Sequence, residues 1–318
     1  MFLRIRTAFS CITPCLISAC LMGSAQADEN LLGYLKGAET LPQGAQEIYL
    51  QYTRRSDKGV GEYVAQDLEV EYGYGITPRL TGSLVLKGQA MDTSGIVIDG
   101  YLPGDERYGL RASGVEGKLK YNFLAPAKDI IGLAMQFELS QSWLDAHSGK
   151  DKDKTSFDVS LLLQKYFLDG ELIWVGNTGL GGTYAKRAPL NAATQASADA
   201  GIQALTGDPS AAFEWPTEPE MEIEFKLGTG LSYRFAPGWF AGVEAFYATE
   251  FETEVGQERW SLFAGPNLHY ASKNWWATLT WFPQIRGGRE QLINQADTSL
   301  HLIEKTKQEV RLKLGFEF

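Results

Sequence analysis

The chain ends on Val310-Arg311-Leu312-Lys313-Leu314-Gly315-Phe316-Glu317-Phe318, and this stretch decides the fold class. Every second position from Val310 to Phe318 is apolar, and charged residues or glycine stand between. Because successive side chains of a β-strand point to opposite faces, the alternation indicates a strand with one apolar and one polar face.

The same period of two recurs along the chain, so the sequence predicts twelve strands in all. The other eleven segments are 47–52, 68–73, 80–87, 115–123, 133–140, 157–164, 171–183, 221–235, 243–247, 260–270 and 275–284. Glycines blur the alternation only in 171–183.

The connections between these segments alternate in length. Five carry the proline, glycine and asparagine of tight turns: 76–79, 125–128, 168–170, 236–238 and 272–274. Six are longer and more polar: 54–64, 88–113, 141–155, 184–219, 249–259 and 285–308. Short turns on one rim and long loops on the other are typical of transmembrane β-barrels. With twelve strands both termini lie on the short-turn rim, which is periplasmic in such barrels.

Aromatic residues distinguish a membrane barrel from a soluble one, which shows the same alternation with its apolar face inward. One set of aromatics lies beside the short turns: Tyr74, Tyr121, Phe123, Phe167, Trp174, Phe235, Trp239, Tyr270 and Trp275. A second set lies near the long loops: Tyr52, Tyr247, Trp260 and Trp281. Two aromatic girdles around an aliphatic band are typical of a bilayer interface. The predicted fold class is therefore an all-β, antiparallel up-and-down transmembrane barrel.

Three stretches carry a resemblance to known families. The terminal strand resembles the C-terminal signal of Gram-negative outer-membrane barrels, which ends in phenylalanine and is read by the barrel-assembly machinery; this implies an assembly role for Phe316 and Phe318. Residues Glu39 to Gly44 and Asn274 to Trp281 resemble an uncharacterised porin-like family of twelve-stranded barrels. That resemblance implies a fold and a location in the outer membrane, but no solute.

The first 27 residues have the pattern of a cleaved signal peptide. Two arginines precede a mostly apolar stretch, and Ala25-Gln26-Ala27 fits the small-residue cleavage site. A lipoprotein signal with Cys20 as the lipidated residue is the alternative. All three cysteines fall in this segment, so residues 28–318 can form no disulfide and no thiolate metal site. We expect residues 28–44 to be a periplasmic N-terminal segment, as a tail or a partial plug, and residues 45–318 to be one barrel domain.

Composition excludes several functional classes. The net charge of −10 argues against nucleic acid as a partner. After the N-terminus there is no apolar run long enough for a transmembrane helix. No motif for a metal or another cofactor stands out, so none is expected. Membrane lipid, lipopolysaccharide and the assembly machinery are the expected partners, and the oligomeric state stays open.

Charges on the polar face are the main functional clue, because that face lines the lumen of a membrane barrel. The predicted inward acids are Glu47, Glu69, Glu71, Glu116, Glu138, Asp158, Glu171, Glu222, Glu224, Glu244 and Glu317. The predicted inward bases are Lys118, Lys120, Lys226, Arg234, Arg311 and Lys313, and His269 shares their face. An excess of acids indicates a hydrated lumen that prefers cations or neutral solutes. The predicted function is a porin-like channel for passive or gated passage of small solutes.

Two other functions remain open. One is a non-conducting structural or adhesion barrel, in which inward charges pair across strands and close the lumen. The other is an outer-membrane hydrolase, which the sequence does not favour. His147 and His301 fall in loops, where we expect them to be solvated. A lipase dyad would need its His and Ser on the lipid face, but His269 lies on the polar face, and Ser299 lies in a loop with His301. The loop 184–219 carries an alanine-rich helix at 191–200, expected either on the surface or as a constriction in the mouth.

Overall fold

The computed structural model describes residues 30–96, 105–252, 256–292 and 294–318. Within them each strand pairs antiparallel with the next, and the last pairs with the first, so the sheet is a closed barrel of twelve strands. The strands are β1 Gln46–Ser56, β2 Glu62–Thr77, β3 Leu80–Ser94, β4 Arg107–Leu124, β5 Gly132–Leu144, β6 Asp151–Phe167, β7 Leu172–Arg187, β8 Glu220–Ala236, β9 Trp239–Glu252, β10 Gly256–Ala271, β11 Trp275–Arg289 and β12 Gln308–Glu317. The predicted twelve-stranded barrel is confirmed, whereas the signal peptide lies outside the described residues.

The apolar face of the barrel is its outer face. On β1, Ile48 and Leu50 are exposed, while Tyr49 and Gln51, which alternate with them, are buried. The same alternation runs along the other strands and leaves a wide band of exposed leucine, valine and phenylalanine around the barrel. An apolar surface of this extent is unfavourable in water but favourable in contact with the acyl chains of lipid. The soluble-barrel alternative therefore does not fit the structure.

Aromatic side chains gather on the outer face at the short-turn rim. The Tyr270 ring lies 4.8 Å from the Trp239 ring and 5.0 Å from the Trp275 ring, centre to centre. All three follow or precede the turns at 237–238 and 272–274. Amphipathic rings at this height suit the boundary between acyl chains and headgroups.

The loops on the other rim are shorter than predicted, because the strands extend beyond their apolar band. The predicted loop 88–113 contains the end of β3 and the first residues of β4, and the predicted loop 249–259 is almost wholly strand. The inner face of these strand ends carries both polar and apolar residues, for example Gln89 next to Met91, so it gives no period-two signal. Only 188–219 and 290–307 remain as long connections among the described residues.

The alanine-rich helix is present as α1, Ala192–Thr206. The Asn191 side chain accepts a hydrogen bond from the N–H of Thr194, and Gly207 ends the helix in the left-handed conformation. Ala198 is its one buried residue, and its side chains bond to 211–213 of the same loop. The helix is thus a surface excursion and not a constriction. No helix among the described residues is long and apolar enough to cross a membrane.

Neighbouring residues on β5 test the assignment of the two faces. Leu139 is 52 % exposed on the outer face, while Ser140 faces the interior. We expect Leu139→Arg to destabilise the folded barrel by about 2–4 kcal/mol near the bilayer midplane, and Ser140→Arg to cost far less. Urea titration of the barrel in lipid vesicles measures both, and equal losses would contradict the assignment.

Candidate functional site

Residues 30–41, here called the luminal segment, lie inside the barrel at the short-turn rim. Leu31, Leu32 and Leu35 are almost fully buried and pack against Ile173 and Val175 of β7. The partly buried rings of Tyr166, Phe240 and Phe246 complete this cluster. An apolar patch on the inner wall of an otherwise polar barrel thus anchors the luminal segment.

Two glycines of β8 make room for these leucines. A Cβ atom on Gly228 would lie 2.3 Å from Leu35 Cδ2, and one on Gly230 would lie 2.7 Å from Leu32 Cδ1. Either contact is closer than packed carbon atoms allow, so a larger residue at these positions would push the luminal segment off the wall. Gly228 and Gly230 therefore leave the space in the barrel wall, here called the apolar seat, that Leu35 and Leu32 occupy.

Glu244 of β9 holds the backbone of the luminal segment. Its carboxylate accepts hydrogen bonds from the N–H groups of Gly33, Tyr34 and Leu35, at 2.7, 2.8 and 3.2 Å. The hydroxyl of Thr280 donates to the same carboxylate at 3.2 Å. Three successive N–H groups around one carboxylate form an anion-binding nest, and bonds to a charged acceptor are the strong ones.

Strand β12 holds the segment from the other side. Arg311 donates to the carbonyl of Gly33 at 3.1 Å, and its guanidinium lies 3.8 Å from the Tyr34 ring centre. Lys313 donates to Asn30 Oδ1 at 3.1 Å. The Tyr34 ring stacks on Phe282 at 4.1 Å. Both residues that β12 contributes were predicted to face inward.

The luminal segment fills its side of the lumen but not all of it. Across from the apolar seat, Lys36 bridges to Glu138 at 2.5 Å. A gap of about 20 Å³ remains beside Lys36, Tyr49, Glu71, Lys118 and Lys120. That volume holds about one water molecule. Among the described residues, the luminal segment and the inner wall therefore leave a cavity of this size beside Lys36.

Two loops, here called the roof loops, fold over the opposite end: residues 145–150 and 290–307. Four apolar side chains hold the second loop in place: Leu292, Leu300, Leu302 and Ile303. They pack on Tyr63 and Ala65 of β2, on Met91 of β3 and on Ile96, which follows β3. Lys58 Nζ donates to the carbonyl of Ile303 at 2.5 Å, and Arg259 contacts the Glu304 carboxylate at 2.6 Å. The predicted loop at 285–308 is thus folded into the mouth.

Burial in the roof shifts several titrations. Burial lowers the pKa of His301 to about 3, and it also lowers the pKa of His147 and of Lys58. Burial alone would raise the pKa of Asp145, but Lys152 and the N–H of Ser148 hold it at about 2. Both roof histidines are therefore neutral at physiological pH. The prediction of a solvated side chain is wrong for His301, which is buried because its loop turns inward, whereas His147 is half-buried.

A polar chamber of about 450 Å³ lies between the luminal segment and the roof loops. Eleven acidic and seven basic side chains line it, together with a row of hydroxyls on β4 to β6 formed by Ser113, Ser140, Ser142 and Ser156. The roof contributes Asp145, His147, Glu304 and Lys305. Charged walls of this kind need water or mutual pairing, since burying an isolated charge is costly. Among the described residues no group of three or more His, Cys, Asp or Glu is placed to hold a metal ion.

The residues predicted to line the lumen fall into three zones. Lining the chamber are Glu69, Glu116, Glu138, Asp158, Glu222, Glu224, Lys226 and Arg311. Around the luminal segment and the gap are Glu71, Lys118, Lys120, Glu244 and Lys313. Near the short-turn rim are Glu47, His269, Arg234 and Glu317. There Glu47 accepts a hydrogen bond from Trp276 Nε1 at 2.6 Å, and His269 Nδ1 lies 2.8 Å from Thr278 Oγ1. Glu171 lies in the turn after β6, 4.0 Å from Arg234, and not on a strand as predicted.

Sequence reasoning missed much of the site. It did not identify Arg55, Glu250, Arg259 or Glu304, because these four lie in stretches interpreted as loops. It also missed Asp67, which lies just before the predicted strand 68–73. It gave residues 28–44 no internal contacts, although it left a partial plug open. One signal was available: Ile173, Val175, Phe240 and Phe246 interrupt a polar inner face with apolar residues, which implies that something covers them.

Known structures share this architecture. The COG4313 outer membrane channel from Pseudomonas putida F1 superimposes with a TM-score of 0.56 at 11 % identity, covering 88 % of this chain and 98 % of that one. The translocator domain of the autotransporter NalP from Neisseria meningitidis gives a TM-score of 0.50 at 11 % identity, covering 88 % and 91 %. Identity this low shows the fold alone. The fold is that of outer-membrane β-barrels.

A family model described as a family of unknown function, DUF6662, matches residues 24–318. The chain belongs to that family. A search of curated proteins finds no match.

Proposed function

We propose that this member of DUF6662 is a gated channel of the Gram-negative outer membrane, with its short-turn rim and both termini in the periplasm. One observation carries the proposal: a charged chamber of about 450 Å³ is preserved inside the barrel, between two segments that enter from opposite rims. Eight-stranded barrels are filled by their own side chains, and barrels of sixteen or more enclose an open channel. Twelve strands leave room for a pathway that a short segment can close.

The way the luminal segment is held supports gating. Residues 42–45 connect it covalently to β1, and the contacts with the wall described above are all noncovalent. Its leucines pack on an apolar part of the wall, and its Lys36 side chain lies beside the gap. Breaking the Lys36–Glu138 bridge would widen that gap without removing the leucines from their seat. The gap is therefore the proposed route between chamber and periplasm.

Recordings in planar bilayers test the proposal. We expect purified barrel to give discrete current steps, rare in the full chain because the luminal segment closes it. A second candidate is a non-conducting barrel, favoured by the extent of bonding between the luminal segment and the wall. If neither the full chain nor a chain lacking residues 30–41 gave any current, the result would support that candidate.

We propose that the channel prefers cations, because more acidic than basic side chains line the chamber. Changing Glu69, Glu222 and Glu224 together to Gln is expected to move the reversal potential in a salt gradient toward zero. The preference should also weaken at 1 M salt, where the Debye length is about 3 Å.

A matched triple variant controls for total charge. Glu62, Glu214 and Glu218 are exposed and lie outside the chamber, so their change to Gln should leave the reversal potential in place. An anion-selective wild type would refute the preference, and so would equal effects of the two triple variants.

The remaining partners are proposals from the sequence. The exposed Phe316 and Phe318 are the proposed contact for the barrel-assembly machinery, and the apolar outer band is the proposed contact for membrane lipid and lipopolysaccharide.

A further inference from the structure

A groove of about 480 Å³, here called the outer groove, crosses the lipid-facing surface of the barrel between β2 and β5. Two neighbouring rows of outward positions form it, each running across these strands in register. In the row nearer the short turns Gly82 stands between Tyr74 and Leu119, and in the next row Gly117 stands between Leu84 and Leu139. Each row thus lacks one side chain, and the outer groove follows the missing side chains.

Gly117 forms the floor of the outer groove. A Cβ atom added to Gly117 would have no atom beyond its chain neighbours within 4 Å, whereas one on Gly82 would lie 3.0 Å from Ile76 Cδ1. Leu84 and Leu139, which flank Gly117 in the register, are both more than half exposed. The outer groove is therefore about one residue wide, which is too narrow for the wall of another barrel and wide enough for a hydrocarbon chain.

The outer groove also has the length of one leaflet of a bilayer. Gly117 and Leu124, where β4 ends at the short-turn rim, are seven residues apart. Strands that rise about 3.3 Å per residue and tilt by about 40° place Gly117 about 18 Å above that rim. Half of the hydrocarbon core of a bilayer is about 15 Å thick. An acyl chain anchored at the short-turn rim would therefore end near Gly117.

Two cations lie in the short turns next to the outer groove. Arg79 is in the turn from β2 to β3, directly after the groove residue Ile76 and its neighbours, and Lys128 is in the turn from β4 to β5. Both are exposed, and neither forms an ion pair within the described part of the chain. Asp129, the acid beside Lys128, accepts a hydrogen bond from the N–H of Ala125 in its own turn. These two cations are therefore available to an anion from outside the chain.

We propose that the outer groove binds one phospholipid with a negatively charged headgroup, from the leaflet at the short-turn rim. Its acyl chain would lie along Gly117, and its phosphate would contact Arg79, since arginine binds phosphate through two parallel N–H bonds. The exposed ring of Tyr74 lies between them, where amphipathic rings suit the boundary between acyl chains and headgroups. The inference rests on the proposed membrane orientation only for identifying this leaflet as the periplasmic one.

Native mass spectrometry of the full, detergent-folded barrel with phosphatidylglycerol tests the acyl-chain contact. We expect the wild type to retain one lipid, and Gly117→Leu to bind it about tenfold more weakly because the new side chain fills the outer groove. Gly109→Leu is the matched control. Gly109 is also exposed on β4 and has open space around a Cβ, but it lies outside the outer groove. Heat-modifiable migration on gels verifies that each variant is folded.

A second pair of variants tests the headgroup contact. Arg79→Gln should weaken the binding of phosphatidylglycerol about fivefold, the usual effect of one basic residue at an anionic lipid. Lys273→Gln removes a positive charge from an exposed short turn on the other side of the barrel and should bind as the wild type does. Phosphatidylethanolamine, whose headgroup has no net charge, should bind the wild type more weakly than phosphatidylglycerol does.

A third measurement uses the wild type alone, in phosphatidylethanolamine vesicles that contain a little phosphatidylglycerol with a photoreactive diazirine at the end of its acyl chain. The diazirine should label 115–119 and 137–139 more than Val243, which is exposed on the opposite side of the barrel. Equal labelling of the two sides, equal effects within either pair of variants, or cross-links between two copies of the chain at the outer groove would overturn the site. Lipid in the outer groove of a barrel that carries no current would leave the site standing and refute the channel.

Discussion

Deletion of residues 30–41 is expected to raise the single-channel conductance at least about tenfold, since twelve strands enclose more space than their own side chains fill. The deletion removes the leucines seated on β7, the backbone held by Glu244 and the Lys36 side chain beside the gap. The short-turn end of the lumen would then lose the segment that occupies it, and only the inward side chains of the barrel would remain there. Planar-bilayer recordings on the full and shortened chains measure the ratio.

A deletion of similar length elsewhere is the control. Residues 192–206 form the exposed helix α1, whose removal leaves the lumen as it is. That variant should conduct like the full chain. The account would be wrong if both deletions changed the conductance equally, or if the chain lacking 30–41 migrated as a folded barrel and still carried no more current than the full chain.

Arg259→Gln is expected to lower the free energy of unfolding by about 3–5 kcal/mol, the usual loss when one partner of a buried ion pair is removed. Arg259 is 3 % exposed and lies among Glu250, Glu258 and Glu304. Without it, buried carboxylates face one another, and the roof loop that carries Glu304 loses its attachment to β10. Urea titration of the refolded barrel measures the loss, and proteolysis within 290–307 reports release of the loop.

Arg107→Gln provides a matched comparison. Arg107 pairs with Asp92 at 2.9 Å, but its side chain is 82 % exposed, and such surface pairs contribute little. We expect its unfolding curve to follow wild type. Similar curves for Arg259→Gln and Arg107→Gln would show that the roof loop does not depend on the buried arginine.

The sequence was sufficient to predict the barrel. Strands such as β12 alternate from Val310 to Phe318 because lipid selects one face and water the other, and that constraint is readable without a structure. Parity along each strand was also the basis for predicting which charges point inward, and it failed for Glu171, which lies in a turn and not on a strand. The helix at α1 was predictable because alanine favours helix regardless of tertiary context.

The segments that fill the barrel were harder to predict, because their apolar residues follow no periodic pattern. Residues 30–41 are held by backbone N–H groups on Glu244, and a backbone group leaves no trace in the sequence. His301 looked like a solvated loop residue because its burial depends on Leu300 and Leu302 packing inward beside it. Arg259 and Glu250 were assigned to a loop, since the strand ends that carry them lack a sustained alternation of apolar and polar residues.

The central claim is that the luminal segment closes a conducting barrel, and a reversible cross-link tests it most directly. Residues 28–318 contain no cysteine, so the double variant Gly33→Cys/Thr280→Cys introduces a single pair. A Cβ on Gly33 lies 2.8 Å from Thr280 Cβ, and disulfides need about 3.5–4.5 Å, so a shift of about 1 Å suffices. With the cross-link verified by mass spectrometry, we predict a closed channel that begins to open when a reductant is added to the bilayer chamber. Current that is the same before and after reduction, or failure of the pair to cross-link in the folded barrel, would contradict the account.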